Sequence, residues 1–319
     1  MCALSEAKGM GLKMNTYCEK LWDELYIDYT GDVYSCCHQG PEVIGNIYNE
    51  SMDEIINKDK ILEFRKMSLD GNLKCYESCT LQSSRMKQKN VENNVLIQDK
   101  MHILKILYGE LCNINCIMCW QDSNNTEILD FDKLKQNIQI ERFEQVIIQG
   151  GEPLFCNKAL DFFDFVSSKG VKISFLTNGI LINDIWAEKI ALNSIFIHIS
   201  INAATKKTHE LINKGSDWDM VLANVQLLRK YKKRYNSSLE IKGHMTIVEQ
   251  NLFEIGQFIR NFEKLGFDFA KFGFDSNIPS FLDKNPNIKR KIILDIHHSI
   301  NKQNIKKIDI DRLKLLGLF

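Results

Sequence analysis

Three cysteines crowd one short stretch of this chain, CNINCIMCW, with three and then two residues between Cys112, Cys116 and Cys119. The stretch follows an apolar, strand-like run from His102 to Tyr108. Thiolates this close in sequence can converge on one metal centre, and three of them leave one metal position without a protein ligand. A structural zinc would want a fourth. Of the ten cysteines, six precede the stretch and only Cys156 follows it. In a long chain without an apolar leader such cysteines read as metal ligands or redox groups, not as a disulfide framework.

The residues around the stretch define a central region, about 101 to 275. Strand-like runs alternate there with helix-length amphipathic segments, the pattern of βα units on a parallel sheet. Strands are expected at His102 to Tyr108, Phe143 to Ile148, Val171 to Leu176, Ser194 to Ser200, Leu239 to Val248 and Asp268 to Phe274. Helices are expected at Phe131 to Ile140, Lys158 to Lys169, Ile182 to Leu192, Trp218 to Lys232 and Leu252 to Leu265. The fold class is therefore α/β, a partial (β/α)6 TIM-like barrel. Ligands of such sheets bind at the carboxyl ends of the strands. After the first strand comes the cysteine loop, and after the second Gln149-Gly150-Gly151-Glu152-Pro153, whose paired glycines let backbone approach a ligand closely. Thr177-Asn178-Gly179 and Ser200-Ile201-Asn202 end the third and fourth strands and offer hydroxyl and amide groups. The fifth strand carries Lys242, His244 and Thr246 at period two, on one face that would point into the barrel. Either these contact substrate or they are satisfied structural groups.

A cysteine-rich α+β module occupies residues 1 to about 95. After Cys18, LYIDYTGDVYSCCHQG reads as a hairpin turning at Thr30-Gly31-Asp32 and delivering Cys36 and Cys37. A turn follows at Gly45-Asn46, then a helix begun by Ser51, with Glu54 completing a capping box. In CYESC, Cys75 and Cys79 stand one helical turn apart. Two separated pairs can then meet around one metal, iron or zinc. Residues 80 to 100 read as a polar linker. A C-terminal piece, 276 to 319, begins with a proline-containing loop, Asn277 to Asn287, followed by helices at Ile288 to Ile300 and Asp309 to Leu316; His297-His298 reads as structural.

The cysteine spacing resembles the cluster loop of the radical S-adenosylmethionine (radical SAM) enzymes, and Gly150-Gly151-Glu152-Pro153 is similar to that family's GGEP motif. The resemblance implies a [4Fe–4S] cluster on Cys112, Cys116 and Cys119, with S-adenosylmethionine chelating the open iron. It also implies cofactor contacts from Gly150, Gly151, Glu152, Pro153, Asn178 and Ser200. Where relatives carry an aromatic residue against the adenine, this chain has Met118, with Trp120 just after Cys119. The N-terminal module resembles the SPASM modules of peptide-modifying radical SAM enzymes, though it stands before the barrel, is short, and has cysteines for one cluster. The ligands implied are Cys18, Cys36, Cys75 and Cys79, with Cys37 as alternate, and structural zinc is the other reading.

The same resemblance implies a ribosomally made precursor peptide as substrate, an electron donor such as flavodoxin or ferredoxin, and an activity similar to that of epipeptide-type epimerases. Those enzymes take a Cα hydrogen from an L-residue, typically Val or Ile, and return a hydrogen from a thiol on the other face. No cysteine follows Cys156, and Ala223 stands where the resemblance would put the donor. Either Ala223 replaces a lost cysteine, or Cys156 donates, or the chain is not an epimerase. The rivals are a radical SAM maturase forming a thioether or carbon crosslink and a zinc-stabilised binding protein. Lys plus Arg equals Asp plus Glu at 41 each, so no global field draws nucleic acid or an anionic membrane. With no apolar leader or spanning segment, a cytoplasmic protein is expected.

Overall fold

The computed structural model describes residues 12–36, 42–76, 101–301 and 303–319. Along the chain the strands are β1 (Leu12–Thr16), β2 (Glu24–Ile27), β3 (Asp32–Tyr34), β4 (Gly45–Asn46), β5 (Leu73–Tyr76), β6 (Met101–Leu107) and β7 (Asn115–Cys116). They continue as β8 (Phe143–Gln149), β9 (Lys172–Thr177), β10 (Phe196–Ser200), β11 (Asn213–Lys214), β12 (Glu240–Ile247) and β13 (Phe269–Phe274). The chain forms two compact units. One holds the described part of Met1–Leu111 with Asn124–Gly151 and Cys156–Ile173; the other holds Cys112–Ser123, Glu152–Phe155 and Ser174–Phe319.

In the first unit β8, β6, β2, β3 and β4 are neighbours in that order. β6 and β8 run parallel, Leu104 opposite Val146, and β2 joins β6 in parallel, Leu25 opposite Leu104. The N-terminal hairpin therefore extends the sheet that carries the first barrel strands. Glu24, 8% exposed, fixes this junction by pairing with Lys105 at 2.6 Å and Lys20 at 2.5 Å. Gly31 turns the hairpin at φ 84°; a Cβ there would come within 2.6 Å of the Tyr48 ring, so only glycine lets that ring close over the turn.

Three N-terminal expectations are corrected. Gly45-Asn46 is a third strand, not a turn, because Asp32 and Val33 capture its backbone and Asn46 Nδ2 donates to Asp32 Oδ1 at 2.8 Å. The single helix after Ser51 is two, Met52–Ile56 and Asp59–Leu69, although Ser51 and Glu54 do form the capping box. Cys75 lies on a strand, not on a helix shared with Cys79. Gly71 ends the preceding helix at φ 71°, and β1 then pairs with β5, Lys13 opposite Cys75.

In the second unit the order is β13, β12, β10, β9, all parallel to their neighbours. The six strands from β6 to β13, excluding the two-residue β7 and β11, alternate with helices, giving the α/β class and the partial barrel. Helix Trp218–Arg234 shows why such a segment forms: Val221, Val225 and Leu228 recur on one buried stripe and Asp217 caps it by accepting from Met220 N. Helix Ile255–Leu265 buries Ile255, Phe258, Ile259 and Phe262 and ends at Gly266 with φ 100°. The proline-containing segment expected to be a loop is instead the helix Ile278–Lys284; Pro279 and Pro286 sit at first-turn positions, where a missing N–H removes no bond. Among the described residues no helix is long and apolar enough to cross a membrane.

Candidate cluster and cofactor site

The cysteine loop is held at both ends and in its middle. Cys112 N donates to Ser123 O at 3.2 Å, Cys119 N to Cys116 O at 3.0 Å, and Ile117 N to Ile212 O at 2.9 Å. β7 pairs antiparallel with β11, setting Cys116 opposite Asn213. The Cys116 thiol donates to Asn213 Oδ1 at 3.5 Å, and Asn178 Nδ2 lies 3.9 Å from Cys112 Sγ while donating to Asn113 Oδ1 at 2.7 Å. Burial, then the nearby charges of Cys119, Cys112 and Glu152, pushes the Cys116 thiol up to about 12; burial pushes that of Cys112 up to about 11. Cys119 is exposed. The three sulfurs thus lie within electrostatic reach of one another on one loop.

These residues fit an iron–sulfur cluster. The donor set is three soft thiols, and two of them have a carboxamide at the sulfur, the kind of neighbour that tunes a cluster. Among the described residues no three His, Cys, Asp or Glu side chains gather as one metal ion would require; a cluster of four irons takes its thiolates at separate corners.

The loop after β8 is shaped by its glycines. A Cβ on Gly150, φ 92°, would lie 1.9 Å from the Leu107 side chain, and one on Gly151, φ 53°, 2.2 Å from Leu111 O. The loop can therefore pass against the backbone leading into Cys112. Glu152, 1% exposed, accepts from the Thr177 hydroxyl at 2.6 Å, from Asn178 N at 2.6 Å and from Leu154 N at 3.1 Å. Burial raises its carboxyl to about 7 against those three donors. Pro153 is buried in the turn that follows.

Of the sequence-derived candidates, the structure gathers Cys112, Cys116, Cys119, Glu152 and Asn178 in the second unit. Ser200 ends β10, its carbonyl accepting from Asn213 Nδ2 at 3.1 Å. Met118 is half-buried and Trp120 exposed. Ala223 is exposed, on the side of its helix away from Val221, Val225 and Leu228. Cys156 is half-buried, its thiol pushed up to about 11 by burial and donating to Asn157 O at 3.3 Å. In the N-terminal region Cys18 is buried, with its N–H on Ser68 Oγ at 2.7 Å, and Cys36 is half-buried after β3. Cys37 and Cys79 lie outside the described residues, as does the expected linker.

The sequence pointed to the amide of Asn202 but not to the buried Asn213, Asn251 and His209 that join it behind the loop. Asn213 takes a bond from Asn202 Nδ2 at 2.9 Å; Asn251 Nδ2 reaches Asn202 O and Thr246 O, both at 2.8 Å; and His209 Nδ1 meets Ile201 O at 2.5 Å. The only signal was the density of Asn in the loops after β10 and β12.

Residues 106–259 match the family model for the radical SAM superfamily, and residues 18–81 match SPASM, an iron–sulfur cluster-binding domain. The chain is a radical SAM protein. As one carrying a SPASM module, it takes S-adenosylmethionine and two [4Fe–4S] clusters. It is 27% identical over 185 residues to the cysteine-type anaerobic sulfatase-maturating enzyme of Clostridium novyi, covering 50% of this chain and 47% of that one. It is 28% identical over 188 residues to the serine-type enzyme of Klebsiella aerogenes, covering 51% and 46%. The radical SAM protein thus spans about half the length of these curated relatives. Among solved structures it is similar to Streptococcus suis SuiB bound to the precursor peptide SuiA, with a TM-score of 0.49 at 12% identity over 92% of this chain and 72% of that one. It is also similar to anSMEcpe with bound AdoMet, with a TM-score of 0.46 at 22% identity over 55% and 51%.

Proposed function

We propose that this radical SAM protein is an enzyme that modifies a peptide or protein, and that it epimerises L-residues, Val or Ile, to D-residues. The observation that carries the broader reading is the match of a SPASM module and a radical SAM domain in one chain, together with sulfatase-maturating relatives whose substrate is itself a protein. S-adenosylmethionine bound at a reduced cluster supplies a carbon radical able to take hydrogen from an unreactive C–H bond. Cys112, Cys116 and Cys119 hold that cluster, and Cys18, Cys36, Cys75 and Cys79, or Cys37, hold the second. Glu152, fixed by Thr177 and Asn178, receives the cofactor's ammonium group, with Gly150, Gly151, Pro153, Asn178 and Ser200 beside it and Met118 or Trp120 against the adenine. An electron donor such as flavodoxin or ferredoxin completes the system.

For epimerisation, Cys156 replaces Ala223 as hydrogen donor. Burial keeps its thiol protonated, the form that carries a hydrogen atom, and it follows the Glu152 loop directly. Its S–H bond breaks as the substrate Cα–H bond forms, and the sulfur regains an electron from the reductant and a proton from solvent. The test is anaerobic incubation with S-adenosylmethionine, reductant and a synthetic library of Val- and Ile-containing peptides in deuterated water. A one-dalton gain with a D-residue supports epimerisation; a loss of two daltons points to a crosslink; no 5′-deoxyadenosine at all overturns the enzyme.

A further inference from the structure

The hairpin of β2 and β3 does more than lengthen the sheet, because its aromatic side chains reach the loop after β8. Tyr26 on β2, Tyr34 on β3 and Leu107 on β6 form one buried cluster, with Tyr29 packed against it. The rings of Tyr26 and Tyr34 meet edge-on, their centroids 6.0 Å apart. Asp28 stiffens the hairpin by accepting from the Tyr34 hydroxyl at 3.0 Å, Thr30 N at 2.9 Å and Asp32 N at 3.2 Å. The Tyr26 hydroxyl, on a side chain only 1% exposed, takes a hydrogen bond from the side chain of Gln149. Gln149 ends β8 and leads straight into the Gly150-Gly151 turn.

That turn has little to fix it from within. Two glycines in succession, at φ 92° and 53°, carry no side chains that restrict their backbone. Their conformation is therefore set by what they touch. A Cβ on Gly150 would lie 1.9 Å from Leu107 Cδ1, so the turn rests directly on Leu107, the register partner of Gln149 across β6 and β8. Tyr26 holds both supports, Leu107 by packing and Gln149 by a hydrogen bond. The hairpin that carries Tyr26 stands between Cys18 and Cys36, so a cluster held by these two cysteines fixes it from both ends. A turn already held in its binding conformation loses less freedom when a ligand arrives, and binds more tightly.

We infer that Tyr26 is a positioning residue for S-adenosylmethionine, and that through it the auxiliary site on Cys18 and Cys36 strengthens binding of the cofactor at the Gly150-Gly151 turn. The inference rests on the cofactor and cysteine assignments of the proposed function, and on neither its substrate nor its reaction.

The test is calorimetric titration of S-adenosylmethionine into the anaerobically reconstituted holoprotein. Tyr26→Phe keeps the ring and removes the hydroxyl, and should weaken binding about three- to tenfold, the span of one neutral hydrogen bond. Gln149→Met should give the same loss, and the double variant no further loss, since both remove one bond. Tyr29→Phe is the control: its hydroxyl, on the same hairpin, meets Asn125 Nδ2 at 3.5 Å, and its loss should leave the affinity unchanged. Cys36→Ala, with the iron of the Cys112 site retained, should also weaken binding, and by less when Tyr26→Phe is already present. Unchanged affinity in Tyr26→Phe and Gln149→Met, with or without a lowered melting temperature, would make Tyr26 a core residue and overturn the inference. An equal loss in Tyr29→Phe would do the same, as general loosening of the hairpin. No loss in Cys36→Ala, or one that adds in full to that of Tyr26→Phe, would overturn the coupling. Binding is read without turnover, so a protein that shows these shifts yet modifies no peptide keeps the inference and loses the proposed function.

Discussion

Asn213 accepts a hydrogen bond from the Cys116 thiol at 3.5 Å across 97 residues of sequence. Asn213 is fully buried, and its amide also meets Asn202, Ser200 and His209. Asn213→Ala leaves those partners unsatisfied, so it should destabilise the protein by about 1–3 kcal/mol in urea titrations. Less iron should be retained per chain after reconstitution. Unchanged stability and iron content would mean that β7 and β11 hold the loop by backbone pairing alone.

Cluster assignment is separable by iron analysis. Replacing Cys112, Cys116 or Cys119 by Ala should take the reconstituted protein from about eight irons to about four and abolish 5′-deoxyadenosine formation, and Cys18→Ala should remove the other four. Zinc in place of the second group of irons would mark the N-terminal site as structural.

Glu152 should give stability a distinct pH dependence. Its carboxyl is raised to about 7, above the ordinary 4.5, so the folded state favours the protonated form. The contribution is therefore full below about pH 4.5 and is lost as pH rises toward 7, by roughly 3 kcal/mol at 1.36 kcal/mol per unit. Glu152→Gln removes that slope but turns an amide N–H₂ toward Asn178 N–H. Urea midpoints should place the variant below the parent at pH 5 and near it at pH 8.

Glu24 has the opposite sign. Burial works to raise its carboxyl, but Lys105 and Lys20 outweigh burial and hold it below the ordinary value. Its stabilisation is present above that value and disappears as pH falls through the lowered one. Lys105→Met should therefore cost about 1–3 kcal/mol at pH 7 and progressively less on acidification below pH 4. Equal losses at pH 7 and pH 3 would assign the effect to packing.

If Cys156 is the hydrogen donor, Cys156→Ala should abolish deuterium incorporation at Cα while 5′-deoxyadenosine still accumulates. Ala223→Cys should change neither, because position 223 faces solvent. Incorporation gained in the Ala223→Cys variant would restore the donor expectation for that position.

The barrel was legible because its signals are local. Six apolar runs and their helices fall within a few residues of expectation, and the Ser51–Glu54 capping box forms as its spacing implies. The failures are equally physical. CYESC has helical spacing, but β1 offers β5 a ladder that short-range propensity does not contain. Ala223 sits at a plausible helix position, and only the buried stripe of Val221, Val225 and Leu228 decides that it faces outward.

By itself the sequence determined which atoms are available for chemistry. Three thiols within eight residues, a GGEP turn and alternating βα periodicity are properties of adjacent residues, fixed by covalent spacing and local geometry. Only the tertiary structure decided which groups meet across long separations: Asn213 with Cys116, Thr177 with Glu152, and Gln149 with Tyr26. Those contacts follow from strand order and register, which are set by competition among many pairings and so cannot be read from any one segment.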